Sequence, residues 1–150
     1  MIIDLKALRQ RGKTTAQFEF SYCPPSRLIS MPGGNFIGDA KIVVNVEVYD
    51  DKAYVDGDIT YGFSAACARC LTPVSVTRSI AFDELFLSER AMRSDDECYT
   101  YSRDRLDLTT MVDELILIDI PYAVYCKEDC KGLCPDCGKN LNDGPCGCKN

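Results

Sequence analysis

Apolar and polar positions alternate through the middle of the chain and predict three strands. Residues 41–48 are rich in valine and alternate with polar side chains, and residues 53–63 alternate in the same way. A third alternating run spans residues 74–87. Alternation with a period of two is typical of strands that bury one face. Polar residues at 49–52 and the segment 67–73 separate the runs, so we predict an antiparallel hairpin followed by a third, long strand.

The segment MVDELILI predicts a short helix near 109–119. Thr109 or Thr110 is a suitable N-terminal cap, and acidic residues follow in the early turns. Pro121 is expected to end the helix, because a proline disfavours helical backbone at the residue before it.

Two stretches are interpreted as loops. Residues 23–38 contain three prolines and three glycines, and residues 88–105 are polar and acidic. The pattern of residues 2–9 favours neither helix nor strand.

Together these elements predict an α+β fold. We expect an antiparallel, partly barrel-like sheet with a short helix to form one domain over residues 1–121. Residues 122–150 are rich in cysteine, glycine, lysine and asparagine, with few apolar side chains. Such a tail cannot bury a core of its own, so we expect zinc to stabilise it as a C-terminal appendage packed on the sheet domain.

Composition narrows the class of protein. The chain has 150 residues, with neither a signal-peptide pattern at its start nor an apolar run of membrane-spanning length. We therefore expect a cytoplasmic protein whose thiols stay reduced, so its ten cysteines indicate metal ligands rather than disulfides. The chain has no histidine, which leaves thiolates and carboxylates as candidate ligands.

The formal net charge of −6 argues against a protein that coats nucleic acid through bulk positive charge. The charge is uneven, since residues 83–120 hold eleven acidic and four basic side chains, whereas residues 1–33 hold five basic and two acidic ones. Contact with nucleic acid is therefore expected to be local, on the N-terminal segment or near the metal sites.

Six of the cysteines fall within 23 residues of the tail. Cys134 and Cys137 lie in a CPxCG zinc knuckle, whose two-residue spacing lets both thiolates reach one ion while backbone N–H groups face the sulfurs. Cys146 and Cys148 form a second close pair after an Asn-Asp-Gly-Pro reversal. These four cysteines predict a self-contained site.

Cys126 and Cys130 need partners from elsewhere in the chain. Their i, i+4 spacing would place both on one face of a helical turn. Cys67 and Cys70 of the CARC segment have knuckle spacing and offer the missing pair. We prefer this grouping of the cysteines, because all ligands of one site then precede all ligands of the other along the chain. The alternative joins Cys126 and Cys130 to the CPxCG pair and leaves the CARC pair to the last two cysteines.

Zinc, as two ions in all-cysteine sites, is the cofactor that this donor set favours, and iron–sulfur clusters are the rival. Closed four-thiolate sites leave no position for a substrate, and the sequence contains neither a histidine base nor a nucleophile motif. We therefore predict that the protein is not an enzyme. Cys23 and Cys98 are interpreted as small buried side chains or idle thiols.

The motifs, taken in order, resemble those of a known family. They are CxRC at 67–70, DELILIDIP at 113–121 and C-x3-C-KGLCPxCGxNLN-x3-CxC at 126–148. With these motifs the chain resembles the YceD family, the large ribosomal RNA subunit accumulation proteins, and is most similar to the clostridial and bacillar branch with a cysteine-rich tail. The resemblance implies a non-enzymatic factor that supports accumulation of the 23S ribosomal RNA in biogenesis of the large ribosomal subunit.

Three functional hypotheses follow, none involving a membrane or a small-molecule substrate. In the first, the metal modules present basic side chains to a precursor of the large-subunit RNA. The candidate contacts are Arg69, Lys127, Lys131 and Lys139, helped by Arg9, Arg11 and Lys13. In the second, the acidic surface holds a basic ribosomal protein without contacting RNA. In the third and weakest, the zinc thiolates act as a redox switch.

Overall fold

The computed structural model describes residues 1–10, 14–94 and 97–148. The strands in these residues are β1 (Ile2–Asp4), β2 (Thr15–Tyr22), β3 (Asn35–Phe36), β4 (Ala40–Tyr49), β5 (Lys52–Ala66), β6 (Pro73–Ser88), β7 (Tyr99–Tyr101) and β8 (Arg105–Asp107). The helices are α1 (Leu5–Gln10) and α2 (Thr109–Asp119), and short 3-10 helices span Ser26–Leu28 and Leu141–Asp143.

The strands form one large and one small sheet. The large sheet has the order β2-β4-β5-β6-β7, with β3 paired to β5 beside this path, and β1 pairs with β8 separately. All pairs are antiparallel except β6 with β7. The predicted hairpin and long third strand are confirmed as β4, β5 and β6, which occupy the centre of the sheet. The α+β class is confirmed as well.

The expectation of a partly barrel-like sheet is wrong. The large sheet is open and mixed, because its edge strands β2 and β7 do not pair with each other and β7 runs parallel to β6. Alternation along a strand reveals which face is buried, but it carries no information on whether two edge strands meet. Closure of the sheet therefore could not be predicted from the sequence.

Short elements account for the other differences. The predicted loop at 88–105 contains β7 and the first residue of β8, and the loop at 23–38 contains β3 and a 3-10 turn. Residues 2–9 form β1 and most of α1. Strands of two or three residues are too short to show a period, so they are defined by their pairing partners.

Helix α2 begins at Thr109, but neither Thr109 nor Thr110 caps it as predicted. Asp107 accepts hydrogen bonds from the Thr109 backbone N–H at 3.0 Å and from its hydroxyl at 2.6 Å, and Leu108 occupies the cap position without a side-chain bond. The helix ends at Asp119, and Ile120 is extended before the following proline, as the sequence predicts.

The core lies between the inner face of the large sheet and α2. Alternate residues of β4 and β5 are buried, including Val44 and Ile59, and α2 contributes Met111 and Ile116. A polar network crosses this interface at its edge and involves Tyr61, Arg78 and Asp119. Within the described residues, no helix is long and apolar enough to cross a membrane.

Strands β5 and β6 extend beyond the other strands of the sheet. They pair without interruption from Lys52 and Leu87 at one end to Ala66 and Pro73 at the other. At about 3.3 Å per residue, the two ends of this hairpin are roughly 45 Å apart. The CARC turn lies at one end, so the fold presents its two cysteines away from the β4–β5 turn.

Candidate metal centres

Four thiols meet at the end of the β5–β6 hairpin, and we call them the sheet cluster. Cys67 and Cys70 come from the CARC turn, and Cys126 and Cys130 come from the loop after α2. The four Sγ atoms lie within 4.8 Å of one another, with 3.9 Å from Cys67 to Cys130 and 3.5 Å from Cys70 to Cys126. Thiolates around a tetrahedral zinc ion are about 3.8 Å apart at a Zn–S distance of about 2.3 Å. The cluster therefore has the dimensions of a metal site.

The segment 126–130 is a turn rather than the expected turn of helix. The Cys130 N–H donates to the Lys127 carbonyl at 3.2 Å, a three-residue reach, and the segment has no helical assignment. Just before it, the Ala68 N–H donates to the Val124 carbonyl at 2.9 Å. This bond aligns the loop after α2 with the CARC turn, so the two cysteine pairs face each other.

Arg69 holds the two halves of the sheet cluster together. Its Nη1 donates to the carbonyls of Glu128 at 3.1 Å and Cys130 at 3.2 Å, and its Cζ lies 4.9 Å from the centre of the Tyr125 ring. Charge-assisted hydrogen bonds to carbonyls and stacking on an aromatic face both favour arginine over lysine. The guanidinium, a candidate RNA contact from the sequence, is therefore engaged by the protein itself.

The environment of the sheet cluster favours thiolate formation. Burial opposes ionisation of Cys67, but backbone N–H groups of Arg69, Cys70 and Cys126 donate to its sulfur and lower its pKa to about 6. Cys126 shows the opposite shift, because its hydrogen bond with Cys70 and its burial raise its pKa to about 12. Among the four thiols of the sheet cluster, the first therefore loses its proton easily. The last keeps its proton, because each thiolate already formed disfavours the next negative charge. A divalent cation would relieve that repulsion and displace the remaining protons.

The other four tail cysteines form a second group, which we call the tail cluster. Its members are Cys134, Cys137, Cys146 and Cys148, whose Sγ atoms also lie within 4.8 Å of one another. The Cys146 and Cys134 sulfurs are 3.3 Å apart. The cluster is more open than the first, since only Cys134 is buried.

The knuckle turn supplies amides to the tail cluster, as the sequence predicts. Backbone N–H groups of Cys137 and Asp136 donate to the Cys134 sulfur and lower its pKa to about 6. A hydrogen bond with Cys137, together with burial, raises the pKa of Cys148 to about 11. The tail cluster thus repeats the arrangement of the sheet cluster, with one readily ionised thiol and one that holds its proton.

Asn142, which lies in sequence between the two cysteine pairs of the tail cluster, bonds to the sheet cluster and was not identified from the sequence. Its Nδ2 donates to the Cys130 sulfur at 3.3 Å, and its Oδ1 accepts from the Lys131 N–H at 3.0 Å. The first of these bonds is the main cause of a lowered pKa at Cys130. Asn142 belongs to the NLN triplet within the motif at 126–148, which was the available signal.

The grouping of the eight cysteines is the one preferred from the sequence, and the alternative grouping does not form. Cys23 and Cys98 lie outside both clusters. Cys23 is exposed rather than buried, and the Cys98 sulfur lies 4.0 Å from that of Met92. Each cluster could hold a metal ion through four sulfur ligands, which is the donor set of a closed structural site.

The other candidate RNA contacts are partly engaged. Lys139 donates from Nζ to the Pro145 carbonyl at 2.9 Å, and Lys127 lies 3.9 Å from Asp129. Lys131 is exposed. Among the suggested helpers, Arg9 forms an ion pair with Asp104 and also donates to Asp50 and Tyr101, while Arg11 and Lys13 lie outside the described residues.

Comparison with known families places the site in context. The family model described as "Large ribosomal RNA subunit accumulation protein YceD" matches residues 55–150, which include both clusters. The chain belongs to the YceD family. No solved structure matches the chain.

Relatives of this YceD-family chain include mycobacterial and Bacillus proteins. An uncharacterized protein of Mycobacterium tuberculosis is 26% identical over 153 residues, covering 97% of this chain and 72% of the relative. The uncharacterized protein YlbN of Bacillus subtilis is 27% identical over 106 residues, covering 69% of this chain and 62% of the relative. The mycobacterial alignment extends over the N-terminal segment, where the motifs quoted above are absent.

Proposed function

We propose that this YceD-family protein is a non-enzymatic cytoplasmic factor that supports accumulation of the 23S ribosomal RNA during biogenesis of the large ribosomal subunit. The observation that carries the proposal is the family match, whose description names large ribosomal RNA subunit accumulation. The partner is a precursor of the large-subunit RNA or a particle that contains it.

Each cluster is proposed to hold one zinc ion. The ligands are Cys67, Cys70, Cys126 and Cys130 in the sheet cluster, and Cys134, Cys137, Cys146 and Cys148 in the tail cluster. Four thiolates in a tetrahedral arrangement leave no position for substrate, so the metal supplies folding free energy rather than chemistry. In this view residues 1–121 form the sheet domain, and zinc orders residues 122–150 against it.

Metal analysis tests the zinc assignment directly. Protein purified under reducing conditions should contain two zinc ions per chain, and Cys67→Ser and Cys146→Ser should each lose one. Cys23→Ser is the matched control, since that thiol lies outside both clusters, and should lose none. Iron together with a brown colour would identify iron–sulfur clusters and refute zinc.

A deletion strain tests the ribosomal role. Loss of the gene should lower the ratio of 23S to 16S ribosomal RNA, and the wild-type gene should restore it. A variant that lacks the sheet cluster, Cys67→Ser with Cys70→Ser, should fail to restore it, whereas Cys23→Ser should succeed. An unchanged ratio in the deletion strain would contradict the proposed function.

Acidic residues on the outer sheet face favour a second candidate, an adaptor for a basic ribosomal protein. Asp56 and Asp83 lie directly opposite each other on β5 and β6, and Asp58 and Glu47 are on the same face. Like charges at opposed strand positions destabilise a sheet, so a cationic partner would relieve the repulsion. Pull-down of a basic ribosomal protein from lysate, surviving ribonuclease treatment, would favour this adaptor over RNA contact.

The acidic segment 83–120 contributes fewer free carboxylates to the outer sheet face than its composition indicates. Asp104, Asp113, Glu114 and Asp119 bond to arginine or tyrosine side chains. These four carboxylates therefore already have partners within the protein and are less available to a basic ribosomal protein. RNA contact remains the first proposal.

A further inference from the structure

We propose that a groove beside the β7–β8 turn binds the phosphodiester backbone of a single RNA strand. Three arginines, Arg90, Arg103 and Arg105, line the groove, which has a volume of about 630 Å³. This inference deepens the proposed function. It rests on that function only in choosing RNA, rather than another polyanion, as the ligand. We call this site the arginine groove.

A tight turn brings two of the arginines into the groove. Arg103 and Asp104 have positive φ values of 52° and 57°, and the Arg105 N–H donates to the Ser102 carbonyl at 2.9 Å. Two successive left-handed residues are the geometry of a tight hairpin turn, normally occupied by asparagine or glycine. An arginine here is held in an unfavourable backbone conformation and directed to the surface.

None of the three guanidinium groups forms an ion pair within the part of the chain that the structure describes, and Asp4, which lies opposite Arg105 on β1, accepts from the Ala7 N–H instead. The other arginines with described contacts are engaged: Arg9, Arg27 and Arg78 in ion pairs and Arg69 with carbonyls. No ion pair or side-chain hydrogen bond involves Arg90, Arg103 or Arg105 among the described residues. Three of the four basic residues between 83 and 120 therefore gather in one groove, without an ion pair among the described residues.

Two carboxylates also line the arginine groove, and they offset only part of its positive charge. Asp107 forms an ion pair with the Met1 ammonium group at 3.4 Å and also accepts hydrogen bonds from Thr109. Glu89 is exposed, so solvent screens its carboxylate. Three guanidinium groups against two carboxylates leave a positive site on a protein of net charge −6.

The chemistry of the arginine groove fits phosphate groups. A guanidinium presents its donors in a planar fork that matches two phosphate oxygens. All three arginines are exposed, so the groove is open to a polymer passing across it rather than closed around a small molecule. Tyr101 lines the groove but is only 4% exposed, which leaves its ring unavailable for base stacking. Contacts to the backbone alone predict binding without sequence preference.

The arginine groove and the metal clusters lie at opposite ends of the long hairpin. Ser88, at the end of β6, lines the groove, whereas Pro73 at its start adjoins the CARC turn. The separation is roughly 45 Å along the strands. Contacts at the two ends can therefore be tested independently by substitutions that remove equal charge.

Binding of a short fluorescein-labelled oligouridylate to the full zinc-loaded chain, followed by fluorescence anisotropy, tests the proposal. Arg103→Gln with Arg105→Gln should weaken binding at least about tenfold at low salt, and should reduce the slope of log K against log salt by about 1.4. The matched control is Lys41→Gln with Lys52→Gln, which removes the same charge from two exposed lysines outside the groove and should change affinity less than about threefold. Glu89→Gln should tighten binding, because it removes a charge that repels phosphate.

Several results would overturn the arginine groove. One is failure of the wild-type protein to bind the oligouridylate, and another is equal weakening by the two double variants, which would indicate bulk charge. Tighter binding of a polyglutamate peptide than of the oligouridylate would reassign the groove to an acidic protein segment. Circular dichroism and zinc content of every variant verify that exposed substitutions left the fold intact.

Failure of the arginine groove and failure of the proposed function give different results. If the deletion strain loses 23S ribosomal RNA but the arginine double variant binds normally, the groove is refuted and the function stands. If binding depends on the arginines but the deletion strain keeps its 23S ribosomal RNA, the function is refuted and the groove stands.

Discussion

Leu71 and Gly138 occupy the same position in two turns of the same kind. Each follows the second cysteine of a CxxC pair, and each donates its N–H to the carbonyl of the first cysteine, at 3.0 Å to Cys67 and 2.9 Å to Cys134. Their φ values of 62° and 71° are both in the left-handed region. The CARC turn therefore adopts the knuckle geometry with a leucine where the tail knuckle has glycine.

Exchanging the residue types at these two positions should have opposite effects. Gly138→Leu should destabilise the tail cluster by about 1–2 kcal/mol, because a side chain is unfavourable at positive φ. Leu71→Gly should leave the sheet cluster unchanged or stabilise it by up to about 1 kcal/mol, since the relief of strain exceeds the added freedom of the unfolded chain. Zinc affinity by chelator competition measures both. Weaker zinc binding in Leu71→Gly would contradict the shared turn geometry.

Removing a ligand should have different consequences in the two clusters. Cys67→Ser should lower the melting temperature of the whole protein by about 5 °C or more, because the sheet cluster joins segments 59 positions apart. Cys146→Ser should release one zinc ion while leaving the main thermal transition unchanged, because the tail cluster is local. Calorimetry at constant zinc measures both, with Cys23→Ser as control. Equal losses in the two variants would contradict this division.

Acid should weaken the contact between α2 and the sheet. Arg78 donates two hydrogen bonds to Asp119, at 2.6 and 2.7 Å, and Tyr61 donates a third at 2.7 Å. The bonds from Arg78 are the main cause that holds the pKa of Asp119 below its usual value. Because the folded pKa is depressed, this stabilisation is present at neutral pH and is lost as the pH falls below about 4.

Asp119→Asn isolates that contribution. The variant should lose about 1 kcal/mol at neutral pH, and its stability should depend less on pH between about 5 and 3 than that of the wild type. Urea denaturation across this range measures the difference. Glu114→Gln, on the same helix but bonded to Tyr99, is the control. Parallel pH profiles for wild type and Asp119→Asn would refute the assignment.

Alkali should weaken the packing of the edge strand β2 through Tyr22. Burial and the hydrogen bond that its hydroxyl donates to Asp113 at 2.7 Å raise the pKa of Tyr22 to about 12. A raised folded pKa gives stability that is complete below the unfolded pKa of about 10 and is lost as the pH rises toward 12. Tyr22→Phe should therefore be less stable at neutral pH and lose less above pH 10, measured by urea denaturation. An identical loss in both proteins would contradict the shift.

Gly57 marks a close approach between two central strands. A Cβ atom at this position would lie 2.0 Å from the Val43 carbonyl oxygen on β4. Gly57→Ala should therefore shift the β4–β5 register locally and destabilise the fold by about 3 kcal/mol, the range of a severe backbone conflict. Gly62→Ala is the matched control on the same strand, since its nearest neighbours are at 3.6 Å. Similar thermal stability of the two variants would contradict this reading.

Periodic segments and cysteine spacing were the informative parts of the sequence. The central strands β4, β5 and β6 each span ten or more residues, so their alternation was long enough to predict. In contrast, β7 and β8 have three residues each, and only pairing with β6 and β1 defines them. Strand β2 does alternate, with Phe18 and Phe20 on one side, and could have been predicted from that signal.

Side-chain roles within the sites were less accessible to sequence reasoning. Arg69 is a candidate RNA contact by composition, yet its guanidinium bonds to the loop that carries Cys130. Asn142 carries no local pattern that identifies a sulfur as its partner. Both roles depend on which carbonyl or sulfur the folded chain brings within hydrogen-bonding distance.

The sequence by itself determined the α+β class, the central strands, α2, the family motifs and the four close pairs of cysteines, whereas the choice between the two groupings of those pairs came from the tertiary structure. These follow from local periodicity and from spacing that one turn can satisfy. Only the tertiary structure decided that the sheet stays open, that Arg69 and Asn142 support the clusters, and that Arg90 meets Arg103 and Arg105 in one groove. The physical reason is that these relationships join residues distant in sequence, whose proximity depends on strand pairing and on the packing of the turns between them.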